Sequence, residues 1–371
     1  MKTASIITMH CPLNYGAVLQ TYALSTYLQK IGLKVSVIDY NPLYIVHDQS
    51  LMYVGDSRFN KHFITRWLYR IIKAPVKIKR IKRFSEFKRH ELHLTYRCTT
   101  FKEICARDFH FDYCFCGSDQ IWNDRNKSGE DPSYYLQFAK GKSVLISYAA
   151  SGNIQLPFKE KVIEKTIPMI NDLDFISMRE DVTINNIKSY INKPIAHVCD
   201  PVFLLSKGEW GELARHQKVL RINKHYVLVY PMGANAEHVI SNAYIVARHY
   251  NLPLYCISAS QRRDTRVNRY FDVSPYDFLN LFVNADFVVT NSFHGTAFSM
   301  IMNKIFWSCE VEGTNQRISS LLNKVGLSSR SVSFDKEINP SQIQIDYNLV
   351  NSNLDSFVHA SKDFIKHAIN S

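Results

Sequence analysis

Short apolar runs alternate with helical patterns along almost the whole chain, and no other feature limits its fold as tightly. Ala4 to Met9 reads as a strand, and the turn Asn14-Tyr15-Gly16 follows. Ala17 to Ile31 then places Leu19, Leu24, Leu28 and Ile31 on one helical face before Gly32 closes it. Lys34 to Tyr40 is the next strand, ended by Asn41-Pro42. A strand–helix–strand unit of this kind requires a parallel sheet with right-handed crossovers. The pattern resumes with strands at Phe111 to Cys116, Ser143 to Ala149, Asp174 to Met178 and Ile195 to Cys199. Helices are expected at Phe158 to Ile170 and from Asp181 to about Tyr190. A second series begins near Lys224, with strands at Tyr226 to Tyr230, Leu254 to Ser258, Asp286 to Thr290 and Ile305 to Cys309. Its helices are Ala236 to Tyr250, Tyr276 to Asn284, His294 to Asn303 and Ile318 to Val325.

At roughly 150 residues per domain, a chain of 371 residues divides into two. The polar, weakly patterned stretch from Leu204 to Asn223 is the expected linker. The expectation is an α/β protein of two Rossmann-like, doubly wound domains facing a central cleft. Residues 1–204 form the first, with a basic helical insertion at about 58–97, and residues 205–350 the second. A last helix within 351–371 crosses back to the first domain.

Composition excludes several classes. A hydrophobic fraction of 46% with 21% charged residues is that of a globular chain. No run reaches the ~18 apolar residues of a spanning helix. The first apolar run, Ala4 to Ile7, is too short for a signal peptide, so the chain is expected to stay in the cytosol. Its 8 cysteines form no C-x-x-C pair and are expected to be reduced and mostly buried.

The net charge of +12 is local. Between Lys61 and Arg97 twelve Lys and Arg residues face only Glu86 and Glu91. No stacking platform or nucleic-acid motif accompanies them, so a nucleic-acid partner is not expected. The same segment spaces Trp67, Leu68, Ile71, Ile72, Ile78, Ile81, Phe84 and Phe87 mostly by three and four. Pro75 should split it into two helices or kink one. Such a segment either lies on the inner face of an anionic membrane or is a solvated basic face over an ordinary packed stripe.

Three polar clusters fall at expected carboxyl ends of strands, where open parallel sheets bind ligands. They are Asn14-Tyr15-Gly16, Gly117-Ser118-Asp119-Gln120 and Asn291-Ser292-Phe293-His294-Gly295-Thr296. The third opens a helix, whose first N–H groups favour an anion, and Gly295 would let the backbone approach it. His294 is placed either to move a proton and donate to an oxyanion, or to act as a hydrogen-bonded structural residue. Arg179 and Arg317 stand at element ends, as bidentate anion ligands or as surface ion-pair residues. Asp119 is a base or a turn cap.

Read in order, these clusters resemble the polysaccharide pyruvyl transferase family. The resemblance extends through Asn14 to Gln20, Gly117 to Asn123, Ser147 to Ser151, Ser177-Met178-Arg179-Glu180 and Asp200-Pro201-Val202. It continues with Ser274 to Leu279, Thr290 to Thr296 and Arg317-Ile318 with Leu321-Leu322. It implies a fold similar to the GT-B glycosyltransferases and transfer of pyruvate from phosphoenolpyruvate onto a sugar diol as a ketal. The acceptor it implies is a cell-surface polysaccharide or its lipid-linked repeat unit. Under it, His294 is the acid or phosphate ligand, Asp119 the base, and Arg179 with Arg317 the anion clamp. Asn291, Ser292, Gly295 and Thr296 complete the donor site, and Asn14, Tyr15, Gly16, Ser118 and Gln120 line the acceptor side or cleft. The chemistry requires no metal and no cofactor. One departure is Ser292, where some members carry an arginine, and Arg317 is the cation at hand to replace it.

Two alternatives share the fold class. A glycosyltransferase with a nucleotide-sugar donor would need a carboxylate for the ribose, such as Glu310 or Glu312. A glycan-binding protein without chemistry would have no reason to keep Asp119, Arg179 and His294 together.

Overall fold

The computed structural model of the chain describes residues 1–50, 53, 63–152, 154, 156, 158–216, 224–233, 235–258, 267–310 and 316–371. It divides into two units, Met1–Leu204 with Phe357–Ser371, and Leu205–Ser356.

The first unit is built on β1 (Thr3–Ile7), β2 (Lys34–Val37), β3 (Tyr113–Cys116) and β4 (Val144–Ser147), paired in parallel in the order β2-β1-β3-β4. A further parallel pair, β5 (Ile176–Met178) and β6 (Ile195–His197), joins β4 through bridges at Ile146–Phe175 and Ala150–Met178. The order of strands reverses between β1 and β3. All four residues of β3 are buried, so both faces of the sheet are covered, as a parallel sheet demands.

The second unit holds β7 (Val227–Tyr230), β8 (Leu254–Ile257), β9 (Asn268–Tyr270), β10 (Phe287–Thr290), β11 (Ile305–Cys309) and β12 (Ser331–Val332). These form one parallel sheet in the order β12-β11-β10-β7-β8-β9. This is the doubly wound order of dinucleotide-binding folds, with its reversal between β7 and β10. The edge strands β9 and β12 are short and partly polar, so neither gave an apolar run to read in advance.

The structure corrects or refines four expectations. The stretch after Leu204 is not a bare linker, because Lys207–Arg215 is a helix. Ser206 and Glu209 form a reciprocal capping box, which contributes about 1 kcal/mol. Trp210 is buried with its ring 5.1 Å from that of Phe298. Residues 217–223 of that stretch lie outside the described residues. The helix expected at Phe158 to Ile170 is present over 160–171, with a π-helical turn, Val162–Thr166, leading into Ile167–Asn171, where Pro168 cannot donate to a regular ladder. The last helix starts earlier than expected, spanning Tyr347–Asn370. Its Ser361 hydroxyl accepts the Cys199 N–H at 2.9 Å, and Ile369 O accepts from the Tyr113 hydroxyl at 2.5 Å.

In the basic segment the structure has one helix, not two. Phe63–Glu91 is one helix of 29 residues that continues through Pro75. Pro75 is exposed, so water can serve the Ile71 carbonyl that it cannot donate to. Lys61 lies outside the described residues. None of the eight cysteines, all among the described residues, is in a disulfide, and of them only Cys105 is exposed.

Candidate active site

The carboxyl edge of the first sheet gathers Gly117 to Gln120 with Arg179. Gly117 has φ 109°, and a Cβ there would meet Tyr148 O at 2.2 Å, so only glycine fits. Ser118 is fully buried and internally bonded. Its N–H donates to Gln20 Oε1 at 3.2 Å, and its hydroxyl donates to Ala149 O at 2.9 Å with Asp200 Oδ2 at 3.2 Å. It therefore braces the edge rather than facing an acceptor.

Arg179 is buried too. Its Nε donates to Glu180 Oε1 at 3.0 Å and its Nη1 to Asp200 Oδ2 at 2.5 Å. Ser151 donates to the same Glu180 oxygen at 2.7 Å. Burial works against the guanidinium charge, but the Glu180, Asp200 and Asp119 carboxylates outweigh it and hold Arg179 above its ordinary pKa. A cation held between two carboxylates brings no surplus positive charge to a bound anion. Asp119 and Gln120 are half-buried, and Asp119, at φ 66°, accepts the Gln120 N–H at 2.8 Å through Oδ1.

The first cluster also turns inward. Asn14 caps the helix Tyr15–Lys30 by accepting the Ala17 N–H at 3.2 Å. Tyr15 and Gly16 are buried, and the Tyr15 ring lies 5.0 Å from Phe84 of the basic helix. Arg80 fastens the same junction by donating to Leu13 O at 2.6 Å. Beside it, His10 is fully buried, 3.0 Å from Asp39 Oδ1. Burial raises the Asp39 pKa, but hydrogen bonds from His10, Asn41 and Arg97 outweigh it and keep the carboxyl well below the usual range. A pocket of about 760 Å³ opens here, lined by Met9, Tyr44, His47, Arg125 and Lys127 among others. The sequence reading missed it, although Arg125 and Lys127 closely follow Gln120.

In the second unit the reversal point joins the ends of β7 and β10. Asn291 ties them, accepting the Met232 N–H at 2.6 Å and donating to Met232 O at 2.9 Å. Ser292 caps the helix Phe293–Ile301, with Oγ accepting the Gly295 N–H at 3.3 Å while its carbonyl accepts the Thr296 N–H at 2.9 Å. One first-turn N–H group expected to serve an anion, that of Gly295, is thus already taken, while the Thr296 N–H makes the first ordinary bond of the helix. Gly295 is needed for packing rather than for ligand approach, since a Cβ would meet Thr290 Oγ1 at 2.3 Å. Thr296 is fully buried, its hydroxyl 3.1 Å from that of Ser308, and does not reach the edge. His294 sits in the first turn with a small exposed fraction.

Arg317 is half-buried in the first turn of Gln316–Val325, a helix packed on Phe293–Ile301. Glu310 accepts from the Ser331 hydroxyl at 2.8 Å, and Glu312 lies outside the described residues. Within the two units the structure thus collects Ser118, Asp119, Gln120 and Arg179 at one edge, and Asn291, Ser292 and His294 at the other, with Gly295 and Thr296 packed behind them.

Among solved structures, the chain is similar to the UDP-GlcNAc 2-epimerase of Methanocaldococcus jannaschii in complex with UDP-GlcNAc and UDP. The TM-score is 0.55 at 10% identity, with 100% of both chains covered. It is also similar to the UDP-N-acetylglucosamine 2-epimerase from Rickettsia bellii, with a TM-score of 0.52 at 10% identity, covering 100% of this chain and 96% of that one. At such identity the likeness speaks for the fold, which is of the GT-B type, as the sequence led one to expect. No curated protein matches by sequence. A family model described as polysaccharide pyruvyl transferase matches residues 14–312, a span holding every candidate site residue except Arg317. That match covers most of the chain and agrees with the ordered motifs, so the chain belongs to the polysaccharide pyruvyl transferase family.

Proposed function

We propose that the protein transfers the pyruvyl group of phosphoenolpyruvate to two hydroxyls of a sugar in a polysaccharide or its lipid-linked repeat unit. The observation that carries this is the family match across residues 14–312. In the reaction, one sugar hydroxyl proton ends on the methylene carbon of phosphoenolpyruvate, which makes C2 electrophilic. The two hydroxyl oxygens bond to C2 in turn, and the C2–O bond to phosphate breaks. The second proton leaves with the phosphate, so a diol and phosphoenolpyruvate give a ketal and inorganic phosphate. The reaction needs an acid, a base and an anion site, and no metal or cofactor.

In this reading, His294 with Asn291 and Ser292 receives the donor. Arg317 supplies the cation. Its place in a helix's first turn is the unfavourable end for a positive charge, which an anionic ligand would offset. Asp119 is the base on the acceptor hydroxyl, and Arg179 positions the surrounding carboxylates. The pocket in the first unit suits the acceptor, because His47, Arg125 and Lys127 are matched to an acidic sugar or a diphosphate.

The test is incubation of purified protein with phosphoenolpyruvate and candidate glycans, reading phosphate release and the ketal by mass spectrometry. Consumption of nucleotide sugars alone would overturn the proposal. In thermal shift, a donor at 100 times its dissociation constant should stabilise by about 2.7 kcal/mol, and UDP-sugars should not.

A further inference from the structure

The helix Phe63–Glu91 has two unlike halves. Toward its end, Phe84 and Phe87 are 0% exposed, packed on Tyr15 and Tyr22. Toward its start, Trp67, Leu68, Ile71, Ile72 and Ile78 are 50–67% exposed. At about 100° per residue, the exposed set points roughly opposite to Phe84 and Phe87. Apolar side chains therefore face away from the unit that anchors the helix.

The helix carries ten Lys and Arg residues against Glu86 and Glu91. Arg70, Lys73 and Lys77 are half-buried on the side toward the unit, and Lys79, Lys82 and Arg89 are exposed on the side of the apolar face. An occupant must bury large apolar side chains and carry negative charge. A second copy of the chain would bring Lys79, Lys82 and Arg89 of this face toward their own counterparts, with only Glu86 there to offset them. An acidic glycan would satisfy the charge but leave Trp67, Ile71 and Ile78 in water. A bilayer with anionic headgroups satisfies both, and tryptophan is favoured at that boundary. Among the described residues no helix is long and apolar enough to cross a membrane, so the contact is lateral.

We propose that the outer face of this helix, centred on Trp67, Ile71 and Ile78, docks on an anionic lipid bilayer. Arg80 and Phe84 fix the helix to the loop after β1, which also lines the 760 Å³ pocket. Docking would present that pocket to an acceptor borne on lipid. This last clause rests on the proposed function, whereas the docking itself does not.

The full chain is sedimented with vesicles of phosphatidylglycerol and phosphatidylcholine, and with phosphatidylcholine alone, at low and high salt. We expect binding to the anionic vesicles, at least tenfold weaker to neutral ones, and reduced by salt. Of the 4 tryptophans, Trp122, Trp210 and Trp307 are buried, so a blue shift of emission on binding reports Trp67. A triple variant, Trp67→Ser, Ile71→Ser and Ile78→Ser, should lose at least tenfold in binding at low salt with its melting temperature unchanged. Equal binding by the variant, equal binding to both vesicle types, or binding without a blue shift would overturn the proposal. So would vesicle-free dimerisation that the triple variant abolishes. Loss of pyruvyl transfer with vesicle binding intact would count against the proposed function alone.

Discussion

At the carboxyl edge of the first sheet, Arg179 is held between Glu180 and Asp200, with Ser118 donating to Asp200 and Ser151 to Glu180. At the same edge of the second sheet, Asn291 ties β7 to β10 and Ser292 caps the helix that carries His294, through neutral groups alone. Both edges lie at the carboxyl ends of parallel strands, though Asn291 and Ser292 stand at a reversal of strand order and Arg179 does not, since it follows β5, beyond β4. The difference is in what each edge does with charge. In the first unit a cation and two carboxylates neutralise one another inside the fold. In the second, hydrogen bonds set the backbone, and the His294 ring sits mostly buried in the first turn of the helix. A motif residue at a strand end is therefore not a ligand by position alone. Its partners decide whether its charge is available.

The largest expected effect tests the first edge. Arg179→Ala leaves two buried carboxylates facing each other without their cation, and breaking such a buried pair from one side costs about 3–5 kcal/mol. Urea unfolding should show this loss. Adding Asp200→Asn and Glu180→Gln to the same chain should recover part of it. An Arg179→Ala protein of normal stability that fails only in turnover would make Arg179 a ligand and erase the contrast between the edges.

The second edge should respond in the opposite sense. His294→Ala truncates one buried ring and strands no pair of carboxylates, so its loss of stability should be well below that of Arg179→Ala. Turnover should fall on the order of 10²–10³, as for loss of one preorganised donor. A folded His294→Ala protein with near-normal kcat would remove His294 from the reaction.

Much of this was legible in the sequence. Buried parallel strands such as Val227–Tyr230 and Phe287–Thr290 are continuous apolar runs, and these stand out. The helix Lys207–Arg215 did not stand out, because polar residues dilute its buried Trp210, Leu213 and Ala214. Its available signal was the Ser206–Glu209 capping box. At the site, the motifs located both edges, but side-chain direction cannot be read from them. Arg179 and Glu180 are adjacent in sequence, yet Asp200 joins them only through the pairing of β5 with β6. Thr296 follows the Ser292 cap by one helical turn, which carries it inside against Ser308.

Acid should separate the edges again. Asp39 lies beside the first edge, and its carboxyl is held below the usual range by His10, Asn41 and Arg97. A folded pKa below the unfolded one gives stability that is present above the ordinary value near 3.9 and is lost as pH falls through it. Asp39→Asn should therefore destabilise at pH 7, by about 1–3 kcal/mol for loss of charged hydrogen bonds. The difference from wild type should shrink below about pH 4. A constant difference from pH 7 to pH 2 would show that packing, not charge, is at stake.

The smallest effect concerns Ser292. Its Oγ accepts the Gly295 N–H, which uses one lone pair and leaves the hydroxyl proton to be donated. A cap and an anion ligand are thus compatible in one side chain. Ser292→Ala should cost about 1 kcal/mol of stability through the lost cap. It should also raise the KM for phosphoenolpyruvate a few-fold through the lost donor, while Ser292→Thr, which keeps the hydroxyl, restores both. A stability loss with an unchanged KM would assign Ser292 to the cap alone. The second edge would then hold its anion with His294 and Arg317, and the contrast with the first edge would rest on those two side chains.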